Sequence, residues 1–423
     1  MDTEIFRIEG GTKLSGEIEV RGSKNAAAPI IAATLLTKEP CIIRNVPRIE
    51  DVFRLLEILE SMGSKIDWIG DRTVRIENAD IHPDRMNVEL VKKIRFSILL
   101  LGSLSARFDS FSLAHPGGCA IGSRPVDAHF DALRKLGVES HSKEKFYVVS
   151  AADRHPASVV MKEFFSVTAT EIALMLAASL PGTTTLKISA AEPHVEDLGR
   201  FLISMGANIE GLGTHTISVE GGALCGTEHT IIPDPIEAAT FLVLGAATKS
   251  DITVCHARRD HLDIVLEKLR EFGVGFEYSD DTVRIIPTNA LRSPGKVKTE
   301  IYPGIPTDTQ SLFGVLSSLA DGETLIHDHI YESRFNYLAE LEKMRVMSVI
   351  LNPHQAVIHG PAHLRGTTIK SFDLRAGAAL IIAALAAEGT TTIEDIYQVD
   401  RGYERIEERL QKIGAKIERV NKE

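Results

Sequence analysis

Two textures of hydrophobic residue alternate along the chain. One is amphipathic: Leu55, Leu56, Ile58, Leu59 and Met62 recur at helical spacing among Glu57, Glu60 and Ser61, and Gly63 ends the run. The other is apolar on nearly every side. Residues 25–36, 167–180, 236–247 and 374–387 are dense in Ala, Leu, Ile and Gly, which predicts buried helices. Each amphipathic run leads into a stretch of period two, such as Lys65-Ile66-Asp67-Trp68-Ile69, then a turn and Thr73-Val74-Arg75-Ile76. That pattern predicts a hairpin. Short strands are predicted after the apolar helices, at 41–43, 185–188, 252–254 and 392–393.

These textures repeat. The glycine that closes the amphipathic helix returns as Gly63, Gly137, Gly206, Gly273 and Gly414, at a spacing of about 70 residues, with Arg345 standing in the fifth place. Glycine is favoured there because a helix C-terminus commonly ends in a left-handed residue. The chain therefore reads as six copies of one helix-strand-helix-hairpin unit, with a further strand possible before the first helix. The sixth copy stops after one hairpin strand, and Ile5-Phe6-Arg7-Ile8-Glu9 can supply the missing partner. This gives an α/β protein of two domains with three units each, residues 23–231 and residues 1–22 plus 232–423. The chain would cross between them twice, and ligands often bind where domains meet.

Composition narrows the class. The 423 residues are 44% hydrophobic and 25% charged, with net charge −11. An acidic balance argues against a nucleic-acid binder. Four scattered cysteines without a CxxC pair argue against a zinc ribbon or dithiol site. The combination His115, Cys119 and His129 matches no common metal spacing. The first residues lack signal-peptide character, and the apolar runs are too short to span a bilayer. A cytoplasmic protein with no membrane insertion is expected, and its oligomeric state is not legible.

Candidate chemistry gathers in the loop His115-Pro116-Gly117-Gly118-Cys119-Ala120-Ile121-Gly122-Ser123-Arg124-Pro125. A thiol near an arginine has a lowered pKa and sits where anions are attracted. Arg124 and Arg401 each precede the unit's closing glycine by 13 residues, Gly137 and Gly414. Each is expected just before a charged helix, whose N-terminus favours phosphate. Lys24, Arg95 and Arg375 lie near the starts of apolar helices. Such cations need partners when buried, and as structural ion pairs they would take Asp127, Asp373 or Asp400. Asp308 begins another apolar helix. By residue type alone it reads more readily as an N-cap than as a general base.

With these motifs on the page, the chain resembles the UDP-N-acetylglucosamine 1-carboxyvinyltransferases, the enolpyruvyl transferases of peptidoglycan precursor synthesis. The resemblance rests on Gly22-Ser23-Lys24-Asn25-Ala26-Ala27, Val91-Lys92-Lys93-Ile94-Arg95, Pro116 to Asp127, Pro306-Thr307-Asp308, Ser333-Arg334-Phe335, Asp373-Leu374-Arg375 and Asp400-Arg401-Gly402-Tyr403-Glu404-Arg405. It implies two inverse α/β prism domains. It implies transfer of the enolpyruvyl group of phosphoenolpyruvate to the 3′-hydroxyl of UDP-N-acetylglucosamine by addition and elimination. Cys119, Asp308 and Arg401 match catalytic positions, with Cys119 as proton donor to C3 and Asp308 as base. Lys24, Arg124, Arg334 and Arg401 match an anion clamp. Asn25, Arg95, Arg124, Pro125, Val126, Asp127, Ser166, Val167 and Ile330 match positions that contact the nucleotide sugar, and Asp373 and Arg375 match further polar positions of the site. No metal or organic cofactor is implied.

Glu50, Phe164, Thr168 and Arg345-Val346-Met347 depart from the family pattern. Thr168 stands where glycine is usual, which keeps open a related enzyme acting on another nucleotide or sugar. A non-catalytic UDP-sugar-binding regulator would lack the thiol, base or clamp, and all are present in the sequence.

Overall fold

A computed structural model describes residues 4–117, 125–161 and 165–422. Cys119 and Arg124, like Phe164, lie outside the described residues. The chain divides into two compact units, one made of residues 22–232 and the other of residues 4–21 with 233–422, setting aside 118–124 and 162–164.

The first unit carries three sheets among the described residues. Strands Glu228–Thr230, Cys41–Arg44, Thr73–Glu77 and Lys65–Gly70 form one; Ser110–Ala114, Phe146–Ser150 and Glu139–Lys143 the second; Asn208–Glu210, Thr216–Gly221, Gly182–Lys187 and Ser158–Val160 the third. The apolar helices Lys24–Ala33, Leu100–Arg107 and Val167–Ser179 are buried, and the amphipathic helices are Glu50–Met62, Asp127–Lys135 and Pro193–Ser204. In the helix Val167–Ser179 every residue from Ala169 to Ala178 is buried. A helix apolar all round is stable only inside a core.

The second unit repeats the plan. Its sheets are Gly275–Tyr278, Thr282–Ile286, Asp251–Cys255 and Ser15–Glu19; Lys296–Thr299, Gly322–Asp328, Gln355–Gly360 and Met347–Asn352; and Thr368–Lys370, Thr390–Glu394, Glu4–Glu9 and Lys416–Asn421. Its buried helices are Pro235–Ala247, Gln310–Leu319 and Leu374–Ala386; its amphipathic helices are Asp263–Glu271, Asn336–Lys343 and Ile406–Lys412. The N-terminal strand fills the place expected for it: Phe6 lies opposite Arg419 on one side and Ile393 on the other.

One detail was not foreseen. Strand Ser15–Glu19 precedes the helix Lys24–Ala33 in sequence but pairs in parallel, within its own unit, with Asp251–Cys255, the strand that follows the helix Pro235–Ala247. Strand Glu228–Thr230 precedes the helix Pro235–Ala247 and pairs with Cys41–Arg44. The two linking strands are thus exchanged.

The helix ends carry the repeat in their hydrogen bonds. The N–H groups of Ser64, Val138, Ala207, Val274, Val346 and Ala415 donate to the carbonyls of Leu59, Leu133, Leu202, Leu269, Leu341 and Leu410. Each closes a helix with the six-to-one bond of a left-handed cap. Gly63 and Gly414 take φ of 114° and 96°, and Arg345 takes the same kind of conformation at 77° without being glycine.

Candidate active site

The second unit assembles a carboxylate between two guanidinium groups. Asp308 lies in the 3₁₀ turn Thr307–Thr309 that leads into the helix Gln310–Leu319. It is not the N-cap that residue type suggested: Pro306 precedes the turn and Thr309 precedes the helix, and the Asp308 side chain turns to two arginines instead. Arg334 Nη2 donates to Oδ1 at 2.7 Å, and Arg375 Nε reaches Oδ2 at 3.4 Å. A local capping preference has been outweighed by charge.

The arginines are held in turn. Arg334 Nη1 donates to Thr307 Oγ1 at 2.8 Å, whose hydroxyl donates to Asp328 Oδ2 at 2.5 Å. Asp328, fully buried, also accepts from Thr299 Oγ1 and from the N–H groups of Ile330 and Tyr331. Burial opposes the charge on Arg334, but Asp308, Asp373 and Asp328 outweigh it and raise its pKa. Arg375, 3% exposed, stands over the Tyr403 ring at 5.5 Å and 3.7 Å from Asp234. Burial again works against its charge, and Tyr403, Asp234 and Asp308 prevail. The Nη side of Arg375 is met only by Asp234 at 3.7 Å and by the Tyr403 side chain. A buried guanidinium held this loosely suits an anionic oxygen supplied by a ligand.

Two of the expected ion-pair partners turn elsewhere. Asp373 caps its helix through the N–H groups of Arg375 and Ala376, and Asp400 pairs with Arg419 at 2.6 Å. Arg401, 7% exposed, bonds Gln398 Oε1 at 3.1 Å. It closes the one-turn helix Tyr397–Asp400 at its C-terminal end rather than opening a helix, so the helix dipole gives no help with an anion there.

The first unit holds the other residues. Gly22 runs so close to Asn45 that a Cβ would stand 1.8 Å from its carbonyl oxygen. Ser23 then caps the helix by accepting from the Ala26 N–H, and Lys24 follows as its first residue. Lys24 is 7% exposed; its Nζ lies 3.1 Å from Asp51 and 4.7 Å from the Phe96 ring centroid. Asp51, not Asp127, is therefore its counter-charge. Little in the local pattern marks this role, because Asp51 sits at the edge of the apolar stripe of an amphipathic helix and looks like an ordinary first-turn acid. Asn25 is half-buried on the same helix. Glu50 pairs with Arg54 at 2.7 Å.

Arg95 opens a 3₁₀ turn. Its charge lowers the pKa of Tyr147, against burial, which raises it most, and Asp127, which also raises it. Gly117 enters the thiol loop where a Cβ would meet the Lys92 carbonyl oxygen at 1.5 Å. Pro125 and Val126 lead into the helix Asp127–Lys135. His129, 4% exposed, bridges two helices: its Nδ1 faces the Val126 carbonyl at 3.2 Å and its Nε2 faces Thr168 Oγ1 at 2.7 Å. Ser166 and Val167 start the second of these helices. Beneath it, burial raises the Glu171 carboxyl well above the ordinary range, and pushes Glu192 up to about 7 against its own and the Ala191 N–H groups.

Two surface grooves follow the repeat, and the second includes Asp127. One of about 420 Å³ is lined by Asp263, Glu267, Arg270 and Phe276, and one of about 280 Å³ by Asp127, Asp131, Arg134 and Ser140. These residues correspond one to one when Gly273 is laid on Gly137. The groove is a product of the repeat, formed where an amphipathic helix meets its hairpin. Among the described residues no cluster of three metal-ligating side chains occurs, and no helix is long and apolar enough to cross a membrane.

Known proteins match this chain over its length. The family described as EPSP synthase (3-phosphoshikimate 1-carboxyvinyltransferase) matches residues 8–410. The UDP-N-acetylglucosamine 1-carboxyvinyltransferase of Finegoldia magna is 40% identical over 99% of both chains. UDP-N-acetylglucosamine 1-carboxyvinyltransferase 1 of Carboxydothermus hydrogenoformans is 43% identical, again over 99% of both. The enolpyruvyl transferase NikO from Streptomyces tendae superposes with a TM-score of 0.89 at 27% identity, over 99% of both chains. An EPSP synthase from Acinetobacter baumannii, 19% identical with a TM-score of 0.74 over 99% of this chain and 100% of its own, shares the fold. The chain belongs to the enolpyruvyl transferase family, among the UDP-N-acetylglucosamine 1-carboxyvinyltransferases.

Proposed function

We propose that this protein transfers the enolpyruvyl group of phosphoenolpyruvate to the 3′-hydroxyl of UDP-N-acetylglucosamine and releases phosphate, in the cytoplasmic synthesis of cell-wall precursor. The observation that carries the reading is the Asp308 carboxylate fixed between the buried guanidinium groups of Arg334 and Arg375.

In the addition step Asp308 takes the proton of the sugar hydroxyl as its oxygen bonds C2 of phosphoenolpyruvate. Cys119 delivers a proton to C3, giving a tetrahedral ketal. In the elimination a proton leaves C3 and phosphate leaves C2, restoring the double bond on the new ether. Lys24, Arg124, Arg334 and Arg401 hold the phosphate and carboxylate. Preorganised cations of this kind are commonly a large part of catalysis. Asn25, Arg95, Arg124, Pro125, Val126, Asp127, Ser166, Val167 and Ile330 contact the nucleotide sugar, and Asp373 holds the turn that presents Arg375. Proton transfers between side chains and substrate suffice, so the reaction calls for no cofactor.

A second reading has its own support. Thr168 fills a position where the family usually has glycine, and its hydroxyl engages His129. This favours an acceptor other than UDP-N-acetylglucosamine with the same carboxyvinyl chemistry. Phosphate release measured with UDP-N-acetylglucosamine and with other uridine compounds separates the two. Turnover only with a different acceptor overturns the first reading. Intact mass after incubation with both substrates tests the thiol: the wild type is expected to gain a phosphoenolpyruvate-derived adduct that Cys119→Ser loses.

A further inference from the structure

The six outer hairpin strands of the repeat invite comparison. Lys65–Gly70, Glu139–Lys143, Asn208–Glu210, Gly275–Tyr278 and Lys416–Asn421 each carry at least one charged residue. Charge on an edge strand is the ordinary protection against pairing with another chain. The fifth strand, Met347–Asn352, reads Met-Ser-Val-Ile-Leu-Asn and has none. Four of its residues are large, apolar and exposed: Met347 at 66%, Val349 at 49%, Ile350 at 56% and Leu351 at 54%. It pairs with Gln355–Gly360 on one side only and ends its sheet.

We propose that this strand is a self-association edge, where a second copy of the chain adds its own Met347–Asn352 in antiparallel register. Two observations select a second copy as the occupant. The first is charge. A two-fold contact sets residues near the axis opposite their own copies, so any charge there meets its like. Of the six outer hairpin strands, this is the one with no charge to set against its copy in any register. The second is area. One aliphatic side chain accounts for on the order of 100 Å². Four at about half exposure withdraw roughly 200 Å² of side chain per copy, against about 800 Å² per partner in a standard stable interface. The dimer is therefore weak and concentration-dependent, not obligate.

Sedimentation velocity of the full chain from roughly 1 to 500 µM spans the range where such contacts form. The wild type is expected to shift from monomer toward dimer as concentration rises. Val349→Lys, or Met347→Lys if the first variant melts early, is expected to remain monomeric with an unchanged circular dichroism spectrum. Ile69→Lys, on the quasi-equivalent strand Lys65–Gly70, is expected to associate as the wild type does. A wild type that stays monomeric throughout overturns the proposal, whatever else then covers the strand. So does a Val349→Lys protein that dimerises like its parent.

Discussion

His129 and Thr168 are joined side chain to side chain at 2.7 Å, tying the first turn of Asp127–Lys135 to that of Val167–Ser179. Both turns carry residues proposed to contact the nucleotide sugar. Thr168→Val removes the hydroxyl and with it this bond to a buried imidazole, at a cost of about 1–3 kcal/mol. The KM for UDP-N-acetylglucosamine is expected to rise while that for phosphoenolpyruvate holds, and Thr168→Ser should restore both stability and KM. Equal changes in the two KM values would show that the bond is structural only.

Asp308 is proposed to accept the sugar proton. Asp308→Asn keeps an oxygen for Arg334 to bond but cannot take a proton, so kcat is expected to fall by about 10²–10⁴. Thermal unfolding monitors whether the fold survives. A kcat within a few-fold of wild type would move the base elsewhere.

Glu192 makes stability depend on pH in an unusual direction. Its carboxyl ionises near 4.5 in the unfolded chain and at about 7 in the fold, chiefly because it is buried. Between those values the native state holds a proton that the unfolded state lacks. The stabilisation is full below about 4.5 and is lost as the pH rises through 7. Glu192→Gln removes that dependence, so the variant should gain on the wild type between pH 5 and 8, by on the order of 2 kcal/mol at the upper end. Urea melts across that range read it directly; a constant difference would be the contrary outcome.

Arg345 occupies a left-handed cap at φ 77° where the other five units have glycine. A side chain in that conformation costs roughly 1–2 kcal/mol. Arg345 is exposed, so Arg345→Gly should recover about 1 kcal/mol without touching activity. An unchanged or lower midpoint in urea would mean that the side chain makes compensating contacts.

Most of the fold could be read from local pattern. The apolar helices, the hairpins and the return of Ile5–Glu9 beside residues 416–421 all follow from periodicity, because a repeat tells where each element must pack. The pairing partners could not be read. Asp51 beside Lys24 and Asp234 beside Arg375 are tertiary choices between residues far apart in sequence. Asp308 resists a local reading for the opposite reason: a strong residue-type preference for capping gives way to two arginines that only the folded chain brings near. The exchange of strands 15–19 and 228–230 leaves no mark in composition, since either strand suits either sheet.

Strand Glu4–Glu9 lies inside its sheet, between Thr390–Glu394 and Lys416–Asn421. Its two neighbours are made about 385 and 410 positions after it. At about 5–20 residues per second the wait is roughly 20–80 s on the ribosome. Residues 22–232 can collapse during that time, whereas the other sheet must keep a half-apolar strand unmatched until residues 390–421 have been made. In the cell, the second unit is the one whose maturation depends on protection of its earliest-made segment.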